Sequence, residues 1–156
     1  FLGSEKMTAN IMFIIANAYL FAYVLAYENI PSMLTSGFLT ISESPFIILL
    51  IISLILLFFG MFMDTIAILV IVVPLFLPVI TEMGIDPVYF GILVIVNTAI
   101  GMATPPFGQT LLVVSEISKL SMISIAYRSF IFIGMLLVGL FIMIVFPYLV
   151  MFPLWL

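Results

Sequence analysis

Residues 104–108 read Thr-Pro-Pro-Phe-Gly and lie inside an apolar stretch that is long enough to enter a membrane. Each proline lacks a backbone N–H and clashes with the preceding turn, so a straight helix cannot pass through two of them. In hydrocarbon, an unpaired carbonyl costs several kcal/mol unless it faces protein or water. The stretch therefore predicts a helix that is broken at membrane depth, a feature that holds ions and anions in secondary transporters. A mere kink is the alternative, because membrane helices tolerate proline.

Composition places the chain in a membrane and excludes several kinds of chemistry. Of its 156 residues, 67% are hydrophobic and 6% are charged, whereas about a quarter of a soluble domain is charged. The chain has no Cys and no His, which excludes disulfides, thiolate metal sites and histidine relays. Without these residues and without a nucleotide-binding motif, we expect no enzyme activity. Three cations cannot form a nucleic-acid patch, so we expect no nucleic acid, and the lipid bilayer is the surrounding partner.

The first segment, residues 1–45, combines a span with a short connecting element. The apolar residues 9–27 would rise about 28 Å as a helix, close to a bilayer core of about 30 Å. Within 28–44, Pro31 suits the first turn of a helix. We expect a short helix along the membrane interface there, with a plain loop as the alternative.

The second segment, residues 46–80, is apolar except at Gly-Met-Phe-Met-Asp, residues 60–64. The arms on either side, 46–59 and 65–80, would rise only about 21 Å and about 24 Å as helices. Arms this short predict a re-entrant hairpin, whose two helices enter and leave the membrane on one side. Two short spans joined by a tight turn are the alternative.

The third segment, residues 81–118, predicts a turn followed by the broken helix. Asp86-Pro87 is a helix-start signal, with the carboxylate as N-cap and the proline in the first turn. The helix should begin near residue 88 and run to about 103. It should then break at the two prolines and resume over 107–117.

The last segment, residues 119–156, predicts a loop and a final span. Polar residues across 118–128 indicate the loop, and the apolar residues 129–150 would rise about 33 Å as a helix. Trp155 follows this span, where interfacial aromatic residues belong.

The positive charges favour one orientation of the chain. If 46–80 returns to the side that it entered, whether as a hairpin or as two spans, Lys6, Lys119 and Arg128 all fall on one side. Because positive charge concentrates in cytoplasmic loops, that side is predicted to be the cytoplasm.

Asp64 is the one carboxylate with long apolar runs on both sides, and such a residue is a candidate for function. It could ligate a cation, or it could cap the helix that starts at Thr65. The two roles are compatible. Gly60 permits a close backbone approach at the turn, or it simply packs against another helix.

Polar and small residues also surround the predicted break. Thr104 offers a hydroxyl and a carbonyl, and oxygen ligands suit hard cations. Asn97 and Gly101 lie near the same helix face, although a buried amide often only bonds a neighbouring helix. Gly108 would restore backbone freedom after the prolines.

In these motifs the sequence resembles the large membrane subunit of TRAP (tripartite ATP-independent periplasmic) transporters. The resemblance covers most of residues 11–153. It rests on the order and spacing of four motifs: GMFMD at 60–64, PLFLP at 74–78, GIDPVYFG at 84–91 and GMATPPFG at 101–108. The chain is similar to the C-terminal part of that subunit, so we expect it to be a piece of a longer polypeptide.

The resemblance implies an all-α integral membrane fold of the elevator type, in which each of two inverted repeats has a re-entrant hairpin and a broken transmembrane helix. It also implies sodium ions, held largely by backbone carbonyls of the hairpin tip and the break. By position, the predicted sodium residues are Gly60, Asp64, Gly101, Thr104 and Pro105. The predicted substrate residues are Asn97, Thr104, Pro106 and Gly108.

Further implications concern substrate, partners and location. The substrate would be an organic acid, such as a dicarboxylate, sialic acid or another sugar acid, imported across the bacterial inner membrane. A periplasmic binding protein would deliver it, and a small membrane subunit and the first repeat of the same subunit would complete the transporter. Two other functions stay open: a passive scaffold subunit without a transport site, and a proton-coupled exchanger in which Asp64 alone carries the proton.

Overall fold

The computed structural model describes residues 2–152, and every regular element within that range is helical. The elements are α1 (Leu2–Tyr27), α2 (Ile30–Ile41), α3 (Pro45–Gly60), α4 (Thr65–Ala67), a π-helix (Ile68–Val72), α5 (Val73–Glu82), α6 (Pro87–Met102), α7 (Gln109–Ser118), α8 (Met122–Val145) and α9 (Pro147–Met151). Three helical stretches are long and apolar enough to cross a membrane: Thr8–Tyr27, Thr65–Glu82 and Met122–Val145. These stretches confirm the prediction of an all-α integral membrane protein. Trp155, predicted at the interface, lies outside the described residues.

Residues 9–27 are helical, as predicted, within α1, which ends before a sharp turn where Asn29 has a φ of 55°. The next segment is the helix α2 and not a loop, and Pro31 lies in its first turn as predicted. Phe38 on α2 is buried and meets Phe76 of α5 edge to face, with ring centroids 5.8 Å apart. This contact joins α2 to the core, while its position along the membrane interface stays a prediction.

The segment 46–80 is interrupted where predicted. Helix α3 ends at Gly60, and we call residues 61–64 the tip. The helical stretch Thr65–Glu82, formed by α4, the π-helix and α5 in succession, is called the second arm. Helix α3 packs mainly on α6, whereas the second arm packs mainly on α1 and α2. The second arm is long enough to cross a membrane, so the re-entrant course stays a prediction.

The π-helix was not predicted from the sequence. Within it, the N–H of Val73 bonds the carbonyl of Ile68, five residues earlier. Pro74 follows directly and has no N–H to donate to the turn before it. A wider turn accommodates the proline ring without ending the helix, which keeps the second arm continuous.

The third segment agrees with the prediction at its start and differs slightly after the break. The Asp86 carboxylate accepts hydrogen bonds from the N–H groups of Val88 and Tyr89, at 2.7 and 3.2 Å, as the predicted N-cap. Helix α6 then ends at Met102, close to the predicted end. After the break, α7 begins at Gln109 and not at Phe107, because the carbonyl of Gly108 starts the new helical bonds.

The predicted loop over 118–128 is shorter than expected, because α7 ends at Ser118 and α8 already begins at Met122. Ser121 caps this helix by accepting a hydrogen bond from the N–H of Ser124, at 3.4 Å. The serines that suggested a loop therefore start a helix. At the other end α8 stops at Val145, before the predicted end at 150, because Pro147 cannot donate to the helix and instead begins α9.

Replacing the N-cap of α6 should lower stability. We expect Asp86→Ala to cost about 1 kcal/mol in the free energy of unfolding, because two first-turn N–H groups lose their acceptor. The measurement is the thermal midpoint of the purified full-length subunit. Glu82→Ala, which removes an exposed carboxylate from the end of α5, is the control and should leave the midpoint nearly unchanged.

Candidate functional site

The backbones of α3 and α6 touch where the two helices end. A Cβ atom placed on Gly101 would lie 2.7 Å from the Cα of Gly60, and one on Gly60 would lie 3.1 Å from the Cα of Gly101. Real Cβ atoms do not approach backbone to 2.7 Å, so only glycine fits at position 101. Both glycines are buried. This contact brings together two of the predicted sodium residues that are 41 positions apart in the sequence.

The two helices run parallel, so their C-terminal ends meet. Ser53 and Asn97 are hydrogen bonded across the interface, and further along both chains Gly60 meets Gly101. The C-terminal end of a helix carries a partial negative charge from its unpaired carbonyls. Two such ends at one place favour a cation.

The tip leaves carbonyl oxygens available next to this contact. Helix α3 closes with hydrogen bonds from Met61 and Met63 to carbonyls of its last turn. Among the described residues no backbone N–H donates to the carbonyls of Gly60 through Met63. These oxygens are the ligand type that hard cations favour.

We call residues 103–108 the break. Here the N–H groups of Ala103 and Thr104 bond the carbonyls of Ile100 and Gly101, which ends α6 in a tight turn. Two exposed prolines follow, joined by a cis peptide bond. A Cβ on the buried Gly108 would lie 2.8 Å from the Met102 oxygen and 2.9 Å from the Thr104 oxygen. The freed carbonyls thus lie over Gly108, where no side chain fits.

The tip and the break also contact each other through side chains that the sequence did not single out. The hydroxyl of Thr65, the first residue after the tip, donates to the Met102 sulfur at 3.1 Å. The rings of Phe62 and Phe107 lie 5.4 Å apart. A threonine beside Asp64 was visible in the sequence, but its partner 37 positions away was not.

Asp64 is half-buried at the end of the tip. Its backbone is extended and occupies the N-cap position of α4, but its side chain forms no capping hydrogen bond. The capping alternative is therefore wrong for this side chain, and only the backbone carbonyl serves the helix, by accepting from the N–H of Ile68. Its carboxylate remains available to a cation.

Thr104 and Asn97 lie in different surroundings. The Thr104 hydroxyl donates to the carbonyl of Ile100 at 2.6 Å, and its oxygen keeps lone pairs for a ligand. Asn97 is 0% exposed, and its amide N–H groups donate to Leu93 O at 2.7 Å and Ser53 Oγ at 3.3 Å. The structure therefore places Thr104 at the break and encloses Asn97 between α3 and α6. Its predicted substrate role stays a prediction.

The described part of the chain holds no group of three or more His, Cys, Asp or Glu side chains that could ligate a metal. The arrangement instead offers carbonyls, one carboxylate and one hydroxyl at the ends of two helices. Oxygen atoms of this kind are the ligands that hard cations favour.

The fold and this arrangement define an integral membrane protein with two interrupted helical segments joined at their breaks. Residues 1–149 match the family described as the tripartite ATP-independent periplasmic transporter, DctM component. The chain belongs to this family, which confirms the resemblance seen in its motifs. The family and the apolar helices support a multi-pass protein of the inner membrane.

Several relatives are named as transporter permeases and not as enzymes, as predicted. The chain is 41% identical over 143 residues to the C4-dicarboxylate TRAP transporter large permease protein DctM of Vibrio cholerae, covering 92% of the chain and 32% of the relative. It is 42% identical over 113 residues to the sialic acid permease SiaM of Vibrio cholerae, covering 72% and 26%. The 2,3-diketo-L-gulonate permease YiaN of Escherichia coli is 35% identical over 119 residues, covering 76% and 28%. The chain spans about a third or less of these relatives.

Adding one methyl group at Gly101 should separate the tip from the break. We expect Gly101→Ala to lower the thermal midpoint and to abolish most transport by the full-length subunit, because the new Cβ would overlap the Gly60 backbone. The matched control is Gly91→Ala in the same helix, where a Cβ has nothing within 4 Å. Alanine favours a helix over glycine by up to about 1 kcal/mol, so this control should be neutral or stabilising. Equal behaviour of the two variants would contradict the importance of the contact.

Proposed function

We propose that this chain is part of a sodium-coupled secondary transporter that imports an organic acid. The observation that carries the proposal is the meeting of α3 and α6 at Gly60 and Gly101. Beside it, the carbonyls of Gly60, of residues 61–63 in the tip and of residues 103–107 in the break accept no backbone hydrogen bond from the described residues. Interrupted helices of this kind form ion and substrate sites in secondary transporters. Family membership supports the transport function.

The proposed sodium site uses the tip and the break. Its ligands would be carbonyl oxygens of Gly60, Gly101, Thr104 and Pro105, together with the Thr104 hydroxyl and the Asp64 carboxylate. The Gly101 carbonyl already accepts the N–H of Thr104 and would use its second lone pair. Two helix C-termini supply negative potential without a second formal charge. A single carboxylate and neutral carbonyls suit a monovalent cation better than a divalent one, which usually takes more charged ligands.

The proposed substrate site lies beside it, at Thr104, Pro106 and Gly108. The second arm and α7 both begin near the tip and the break, and their N-terminal ends favour a carboxylate. The three relatives are named for C4-dicarboxylates, sialic acid and 2,3-diketo-L-gulonate, all organic acids. Asn97, which we also predicted for the substrate, would reach it only in a conformation that separates α3 from α6.

We further propose an elevator motion with assigned parts. Residues 46–117 would move with sodium and substrate, while 9–44 and 129–156 would belong mainly to the scaffold. A small membrane subunit, a periplasmic binding protein and the remainder of the large subunit would complete the transporter. Lys6, Lys119 and Arg128 would face the cytoplasm, as the distribution of positive charge favours.

The test is uptake of a panel of organic acids into proteoliposomes that contain the complete transporter. We expect uptake to require an inward sodium gradient and the binding protein. Uptake that follows a proton gradient and ignores sodium would favour the proton-coupled exchanger. If variants at the tip and the break alter assembly but never uptake by assembled transporters, the chain is a passive scaffold.

Removing single oxygen ligands should weaken sodium coupling. We expect Thr104→Val and Asp64→Asn each to raise the sodium concentration for half-maximal uptake about tenfold, the effect of about 1.4 kcal/mol of lost binding. Thr81→Val is the matched control, because its hydroxyl also donates to a carbonyl of its own helix but lies on α5, outside the site. Unchanged sodium dependence in both site variants would remove the proposed site.

A further inference from the structure

Asn97 is a polar side chain in the middle of the apolar contact between α3 and α6. It is 0% exposed, and most of the side chains buried on the two helices are apolar, among them Ile52, Leu56, Leu93 and Val94. Its side-chain oxygen, Oδ1, has no hydrogen-bond donor among the described residues. Burying an unpaired acceptor costs about 1–3 kcal/mol, a cost that a leucine of similar size would avoid. Packing alone does not explain the amide.

The orientation of the amide follows from its contacts. Its nitrogen lies 2.7 Å from the carbonyl oxygen of Leu93, one turn back on the same helix. A flipped amide would set two acceptor oxygens at that distance, so the nitrogen must point there and Oδ1 must stay without a donor. The same nitrogen reaches Ser53 Oγ on α3, at 3.3 Å. This is the only side-chain hydrogen bond between α3 and α6 in the described part of the chain.

An aliphatic interface alone specifies the register of two helices weakly. Leucine, isoleucine and valine side chains bury similar areas if one helix slides by a turn, about 5.4 Å. A buried amide can make its hydrogen bond in one register only, and single buried asparagines fix register in paired helices at a cost in stability. In the register of this structure, Asn97 bonds Ser53 and Gly60 meets Gly101.

We infer that Asn97 is a positioning residue, whose hydrogen bond to Ser53 holds α3 and α6 in the register that seats the tip against the break. Asn97 touches neither ion nor substrate in this role. The role of Asn97 in fixing the register rests on the geometry alone. The expected effect on sodium affinity rests on the proposed function.

The first experiment measures the seating of the tip directly. The chain has no cysteine, so Thr65→Cys and Met102→Cys can be introduced together into a cysteine-free full-length subunit. The two native side chains are in contact, and a short bifunctional thiol reagent should therefore join the pair. Adding Asn97→Leu should slow this cross-linking about tenfold while the thermal midpoint stays the same or rises. Cross-linking at the original rate would overturn the inference.

The matched control is Thr98→Val. Thr98 is as buried as Asn97 and adjacent to it, but its hydroxyl bonds only Ile95 on its own helix. We expect this variant to leave cross-linking unchanged. An equal loss in Thr98→Val would show a general packing effect and would contradict a specific role of the amide.

Ser53→Ala provides an independent variant, because it removes one hydroxyl and adds no bulk. It should slow cross-linking, as Asn97→Leu does. The double variant should cross-link no more slowly than the slower of the two single variants. Additive effects would show that the two residues act separately, against the inference.

Sodium-dependent uptake by the complete transporter separates this inference from the proposed function. If Asn97→Leu slows cross-linking and raises the sodium concentration for half-maximal uptake about tenfold, the register role and the proposed function are both supported. If cross-linking slows but uptake never depends on sodium, the register role stands and the proposed function fails. If sodium dependence is present and cross-linking does not change, the proposed function stands and the register role fails.

Discussion

The direct backbone contact between Gly60 and Gly101 is the constraint on which the site depends. It joins the end of α3 to the end of α6, and it leaves no room for a Cβ at position 101. Because the two helices are parallel, the contact places two negative helix ends together and turns two separate chain breaks into one oxygen-rich region. Thr65 and Met102 hold the same region from the side of the second arm.

The break is the second part of the proposed binding site. Pro105 and Pro106 prevent α6 from continuing, and the carbonyl oxygens of Met102 and Thr104 lie over Gly108. Asp64 adds a carboxylate at the tip, and this side chain makes no capping hydrogen bond to α4. A cation held there would be bound mainly by dipoles, which lets a transporter release it again.

The sequence predicted those features that depend on local chemistry. The Asp86 cap, the ends of α6 and the interruption after Gly60 all follow from residues within a few positions of each other. Local polarity was misleading at Ser121, where serines that resemble a loop start α8. The Asn97–Ser53 bond and the Thr65–Met102 contact were missed because their partners are 44 and 37 positions apart. The resemblance grouped the tip with the break, but only the structure shows that glycine is required where they meet.

Direct binding of radioactive sodium to the purified complete transporter, without any substrate or gradient, tests whether this meeting of helix ends holds a cation. The comparison is between the wild type, Gly101→Ala and Gly91→Ala, all confirmed as folded and assembled. We expect the Gly101→Ala transporter to bind less sodium at saturation than the wild type, and Gly91→Ala to bind the same amount. If Gly101→Ala binds as much sodium, as tightly, as the wild type, the junction of α3 and α6 is not the sodium site.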